Sequence, residues 1–289
     1  MLLIAATLAM AGIIAAWVIA ATGMGVEPAG FVRFLALAAA MLLLSMWCLW
    51  RYPDPRLSRA AAIVGLGTLS LMLCGIISNA GLGLRAPLID PALVAIDAAL
   101  GLDVEMIVRS LAKHRALIEA LAAVYNASGG AVVALIAIAA MTRPAARAWE
   151  LTGTVILAMQ LVAVLSIAMP AIGAMAYLGM EDLQGQGLPR GAGVYHLEAF
   201  GHFRAGAPVL RLPELSGLVT FPSFHTVLAL LASQALWETR WRWPGIAWTS
   251  TVIVSTVPIG GHYAADLVAG FLVWLVAALT ARRFSSPSA

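Results

Sequence analysis

Apolar residues run in long blocks along this chain, and polar ones gather in the breaks between them. Eight blocks stand out, at about 2–22, 31–50, 60–82, 117–141, 149–171, 222–238, 246–262 and 263–281. Each is close to the roughly 20 residues an α-helix needs to cross a bilayer core. A transmembrane β-barrel would show short alternating segments instead, so the pattern predicts a helical bundle. Only a tight "PIGGHY" break parts the last two blocks, and no internal repeat is evident. Two connections are long, 83–116 and 172–221, and long connections between packed elements often carry function. In the first, "DPALVAIDAALGLD" (90–103) has apolar residues near helical spacing with acids at its edges. It reads as a short helix lying at the membrane surface.

Composition agrees with this picture. Of 289 residues, 62% are hydrophobic and 11% charged, and the mean hydropathy is +0.94. A soluble globular chain is about 45–50% apolar and about 25% charged. The expected fold is therefore an all-α polytopic membrane bundle of about eight transmembrane helices, with a short interfacial helix in an outer loop. The net charge of +3 does not imply a nucleic-acid partner, because the arginines are scattered between apolar blocks. They read as topology signals. Arg51, Arg56 and Arg59 share one short loop, Arg143 and Arg147 another, and Arg240 and Arg242 a third. Arg282 and Arg283 follow the last block. With eight spans these segments fall on one side, which the positive-inside rule makes cytoplasmic along with both termini. The two long connections then face outward. The first block has no basic n-region and outruns a leader's apolar core, so it reads as a retained helix. Cys48 and Cys74 lie inside apolar blocks and read as packing residues.

Chemistry enters at "STVPIGGHYAADLVAG" (255–270), where His262 and Asp266 are four residues apart. If the last span begins near Gly261, the pair shares one helix face. The carboxylate can then fix the imidazole tautomer and leave the other nitrogen as a nucleophile or base. Gly260 and Gly261 leave room for an oxyanion near the amides of a helix start. In "FPSFHTVLALL" (221–231), His225 sits at the opening of the sixth block. One crossing in and one back separates it from His262, so both histidines fall on the same outer face. Two histidines and a carboxylate suit phosphoryl transfer, one attacking phosphorus and the other protonating the leaving oxygen. The transition state needs amide or cationic donors, for which arginine forks fit best.

These residues carry a resemblance. "PSFHT" and "GGHYAAD" are similar to the second and third motifs of the type 2 phosphatidic acid phosphatase superfamily, P-S-G-H and S-R-x5-H-x3-D. The fuller spelling "GLVTFPSFHT … GGHYAADLVAG" resembles the inositol phosphorylceramide synthase-like branch, as does "LIDPALVAIDAALGLD", a segment found in its bacterial members. The resemblance implies that His262 is the nucleophile and forms a phosphohistidine, with Asp266 orienting it. It also implies that His225 is the general acid and that Ser223 contacts phosphate, beside Gly261. It implies neither metal nor cofactor. The substrate would be a lipid phosphate or phospholipid in the bilayer, and a polyol is a possible acceptor in place of water. A bacterial-type inner membrane is the implied location, with residues 1–82 as N-terminal transmembrane helices and 83–289 as the catalytic core.

The chain also departs from the pattern. Lys113 has no Arg-Pro at the spacing of the first motif, K-x6-R-P. Thr256 follows Ser255 where the family has arginine, and Phe224 replaces the glycine of P-S-G-H. Another cation must then hold the phosphate. Arg204 in "FRAG" is the first candidate, since an R-x-G step often precedes P-S-F-H in that branch; Arg211 and Arg190 come after it.

Other polar residues have plainer readings. His196 and His202 read as surface histidines of the outer loop. Asn79, Asn126, Gln160 and Gln234 read as interhelical hydrogen-bond partners, with Asn126 also a candidate for lining a cleft. The tryptophans mostly fall near block ends, as an interfacial belt requires. Two other functional classes stay open. One is a non-catalytic lipid-binding or transport protein that keeps the fold. The other is a metal-dependent membrane hydrolase ligated by His225, His262 and Asp266.

Overall fold

A computed structural model describes residues 1–51, 53–211 and 220–285. Part of the second long connection (212–219) therefore lies outside the described residues, as does the opening of "GLVTFPSFHT". α1 (Leu2–Thr22) stops where Gly23 turns left-handed at φ 65°. Proline opens both α2 (Pro28–Trp50) and α3 (Pro55–Ala80), where its missing N–H costs nothing. Asp54 caps α3 by accepting from the amides of Arg56 and Leu57. There follow α4 (Asp90–Ala99), α5 (Val104–Leu111), α6 (Arg115–Thr142), α7 (Ala145–Ala168) and the single turn α8 (Ala174–Tyr177). The chain closes with α9 (Leu197–Gly206), α10 (Phe224–Leu236), α11 (Arg242–Gly260) and α12 (Ala264–Ser285). Among the described residues the one sheet is a parallel pair, Gly25–Val26 with Val209–Leu210.

The chain is thus an all-α polytopic bundle, as the hydropathy pattern predicts. Six helices, α1, α2, α3, α6, α7 and α12, are long and apolar enough to cross a membrane. The blocks at 222–238 and 246–262 are helical too, but with different bounds. α10 has only 13 residues because "FPS" stays outside it, with Ser223 as its cap. α11 begins at Arg242, carries Pro258 inside its last turn and ends at Gly260.

The bundle has two chemically distinct ends. Arg59 at the start of α3 donates to the carbonyls of Ala140 and Arg143 at the end of α6. Arg147 at the start of α7 donates to Gln234 O, near the end of α10. A Cβ added to Gly153 on α7 would touch Ala281 of α12 and approach Leu3 and Ile4 of α1. The basic segments and the beginning of the chain therefore gather at one end. Arg242 there lies 4.7 Å from the Trp243 ring and 5.7 Å from that of Trp237. Gln160 reaches from α7 to the carbonyl and hydroxyl of Ser70 on α3. Gln234 links α10 to Glu150 on α7 and Trp274 on α12. Asn79 donates to Gly75 O in its own helix.

At the other end α4 is shorter than its sequence pattern suggests. Gly101 turns left-handed at φ 72°, and Asp103 caps α5 by accepting from Met106 N. Nor do its acids lie at a wet edge. Asp90 is 0% exposed and Asp97 3%. An apolar cluster that includes Leu93, Val108, Ile118, Met175 and Tyr263 packs α4, α5, α6 and α8 against the start of α12.

Candidate active site

The start of α12 builds the first half of the site. Asp266 is its third residue, and its Oδ2 accepts from Tyr263 N at 3.0 Å, the return half of a capping box. The same oxygen accepts the Nδ1–H of His262 at 3.0 Å. Nδ1 thereby carries the proton and Nε2 keeps its lone pair. The four-residue spacing read from the sequence does join this pair, although His262 precedes the helix. The carboxylate reaches back over the first turn instead of along one face. Both groups are buried, His262 at 4% exposure and Asp266 at 0%.

The start of α10 builds the second half. Ser223 Oγ accepts from Thr226 N at 3.3 Å as an N-cap. The Ser223 amide donates to Asp266 O at 3.1 Å, which ties the two helix starts together. Glycine is required where they cross: a Cβ on Gly270 would lie 2.5 Å from Ser223 O. In this arrangement Ser223 Oγ stands 3.4 Å from His262 Nε2.

His225, the second residue of α10, stacks on Tyr125 of α6, with ring centroids 3.9 Å apart and planes at 21°. Tyr125 also faces the His262 side. A Cβ on Gly260 would lie 2.8 Å from His262 Cδ2 and 3.0 Å from the Tyr125 hydroxyl oxygen. His225 and His262 are within electrostatic range of each other. A cavity of about 460 Å³ opens here, lined by Tyr125, Asn126, Arg190, Tyr195, His225 and Ile259 among others. Through Pro189 and Arg190 it adjoins a second cavity of about 590 Å³ that holds Lys113, Arg115 and Glu119. A larger groove of about 750 Å³, mostly apolar, lies at the basic end between α6 and α10–α11, away from the histidines.

The outer loop is strapped across the glycine turn. Gly261 takes φ 71°, its amide donates to Thr256 O, and its carbonyl accepts from Ala174 N at 2.8 Å. Gly193 N donates to Ile259 O at 2.7 Å. A Cβ on Gly261 would lie 2.8 Å from both Gly193 Cα and Gly193 O. The helix-start amides expected to face an oxyanion are already engaged, those of Ala264 and Ala265 by Asp97. Those amides are not free to face an oxyanion.

The predicted cations are spread out. Arg204 on α9 donates from Nη2 to Ala86 O at 2.9 Å. Arg211 Nε lies 3.8 Å from Glu27 Oε2. Neither lines the cavity into which His225 faces, whereas Arg190 does. His202, on α9, is exposed, as expected. His196 is not a surface residue: it is 2% exposed and its Nε2–H donates to Ile172 O at 2.9 Å. Burial lowers its pKa from the ordinary value, against the pull of that carbonyl. Tyr125 and Tyr195 were not foreseen. The one signal for Tyr125 was the polar break "VYNASGG" inside an apolar block. Among the described residues no three His, Cys, Asp or Glu side chains converge as metal ligands.

One end of this polytopic helical bundle thus gathers a buried His–Asp pair, a capping serine and a second histidine. Comparison with protein families matches the PAP2 superfamily over residues 91–280, that is, from α4 into α12, and the chain belongs to that superfamily. Comparisons with curated proteins and with solved structures give no match.

Proposed function

We propose that this chain is an integral membrane lipid phosphatase or lipid phosphotransferase working through a phosphohistidine. The observation that carries the reading is the His262 imidazole, tied at Nδ1 to Asp266 with Nε2 facing Ser223 at 3.4 Å. His262 Nε2 attacks phosphorus and the bond to the leaving oxygen breaks while His225 donates a proton to that oxygen. His225, now neutral, takes a proton from the acceptor, whose oxygen attacks the phosphohistidine and frees His262. Water as acceptor gives a phosphatase; a polyol gives a transferase. The motif spelling of the inositol phosphorylceramide synthase-like branch supports the second. Residues 83–289 form the catalytic core and 1–82 flank it. The arginine clustering supports a cytoplasmic basic end and an active site facing the exterior of a bacterial-type inner membrane.

The test is turnover of the purified protein on a panel of lipid phosphates and phospholipids, with and without polyols, alongside trapping of an acid-labile phosphoenzyme. His262→Ala is expected to lose both signals. Turnover that is unchanged in His262→Ala would sink the phosphohistidine reading, and a wild-type protein that turns over nothing on the panel returns the chain to the non-catalytic lipid-binding class.

A further inference from the structure

The two buried acids of α4 lie outside the reaction just described, yet every strong hydrogen bond they make goes to the turn that carries His262 or to the segment that holds it. Asp97 Oδ2 accepts from Ala264 N at 2.9 Å and Oδ1 from Ala265 N at 2.8 Å. These are the first two amides of α12, which the helix cannot satisfy for itself. Asp90 Oδ1 accepts from the Tyr263 hydroxyl at 3.0 Å and from Gly173 N at 3.0 Å, and Oδ2 accepts from Ile172 N at 3.1 Å. The next residue, Ala174, donates to Gly261 O. His196 grips the same segment from the other side through Ile172 O. Both chain neighbours of His262 are therefore pinned to α4, Tyr263 directly and Gly261 through 172–174.

Burying two carboxylates is costly unless each oxygen is hydrogen-bonded. Among the described residues neither has an ion-pair partner, so backbone amides and one phenol carry that compensation. An asparagine at either place would set an NH2 against an N–H or O–H donor. Seven residues apart, the two acids stand on one face of α4, two turns from each other.

We propose that Asp90 and Asp97 are positioning residues that hold the His262–Asp266 pair in register with Ser223, so that α4 is a working part of the active site. The proposal rests on the reading of His262 as nucleophile. A shift of the α12 start moves Asp266 Oδ2 away from Nδ1 and misaims His262, without altering the lining of the cavity beside His225. The expected signature is thus a loss of kcat with KM preserved.

In purified full-length protein, Asp97→Asn is expected to lower kcat on the order of 10–100-fold, the range for a misplacement near 1 Å. KM for the best lipid phosphate should stay within about threefold. Asp97→Glu, which keeps the carboxylate, should recover part of the loss. If Asp97→Asn does not fold, the same split is read on Tyr263→Phe, which removes one hydroxyl. A kcat equal to wild type, a rise in KM alone, or a loss that Asp97→Glu shares in full would overturn the proposal. Wild-type protein that turns over no phosphorylated lipid overturns the reading of the site instead, and this proposal with it.

Discussion

Adding one methyl group at Gly261 tests whether the glycine turn has to be a glycine for two separable reasons. The left-handed backbone at φ 71° disfavours any Cβ, at about 1–2 kcal/mol. The new carbon would also lie 2.8 Å from Gly193 Cα and O. Those are main-chain atoms, so no rotamer change relieves the contact. Overpacking of this kind adds about 1–3 kcal/mol, for about 2–5 kcal/mol in Gly261→Ala. Gly101 is the control. It has nearly the same φ, 72°, with nothing within 4 Å of the added carbon, so Gly101→Ala pays for the backbone alone. Both variants are melted in one detergent at one scan rate, since unfolding of such proteins is often irreversible. Gly261→Ala should drop the apparent midpoint about 1.5 to 4 times as far as Gly101→Ala. It should also lower turnover about 10²-fold, because the displaced turn carries His262, while Gly101→Ala keeps turnover. Equal midpoint shifts, or full activity in Gly261→Ala, would refute the claim that the Gly193–Gly261 contact locks the site.

Which arginine serves the phosphate is decided by two alanine variants. Arg190→Ala is expected to cost about 10²–10³-fold in kcat/KM, the scale for losing a charge-stabilising donor. Arg204→Ala should change kcat/KM by no more than a few-fold and lower thermal stability instead, since its guanidinium braces Ala86 O; the reverse ranking would restore Arg204 as the clamp. Acid should expose His196. Its folded pKa lies below the ordinary value of 6.5, so the unfolded chain takes up the proton first. The stability it confers is complete above about pH 6.5 and drains as pH falls toward the depressed folded value. His196→Gln keeps an N–H donor for Ile172 O and does not titrate. The wild-type midpoint should therefore fall more steeply than that of the variant between about pH 7 and 5, and parallel profiles would count against the buried neutral imidazole.

What the sequence made legible was local. His262 and Asp266 sit four residues apart, so their pairing is written in the spacing. Ser223 and His225 share one helix start, and the alternation of spans sufficed to bring that start beside His262. Six of the long apolar blocks match helices fit to cross a membrane. What stayed hidden depends on partners far along the chain. Asp97 takes its donors from Ala264 and Ala265 and Asp90 its phenol from Tyr263, and nothing in the pattern of α4 records contacts that distant. Acids at the edge of a short amphipathic stretch look solvated until the unsatisfied amides they cap are known. His196 misled for the same reason, because a long polar loop gave no hint that it folds inward onto Ile172. Arg190, which lines the cavity of His225, is ranked behind Arg204 in the sequence, since it arrives through a loop with no periodicity to read.

The shortness of α10 has a consequence for how a reaction proceeds here. Thirteen residues rise about 20 Å, some 10 Å less than the hydrocarbon thickness of a bilayer. In the proposed placement, Trp237 and Arg242 anchor one end at a headgroup layer, and His225 then stops well below the opposite one. In the proposed reaction the lipid keeps its tails in the leaflet and only bows its phosphate inward, so extraction from the bilayer is never required. In that reading the water or polyol acceptor makes the longer journey, reaching His225 through the cavity lined by Tyr195 and Arg190.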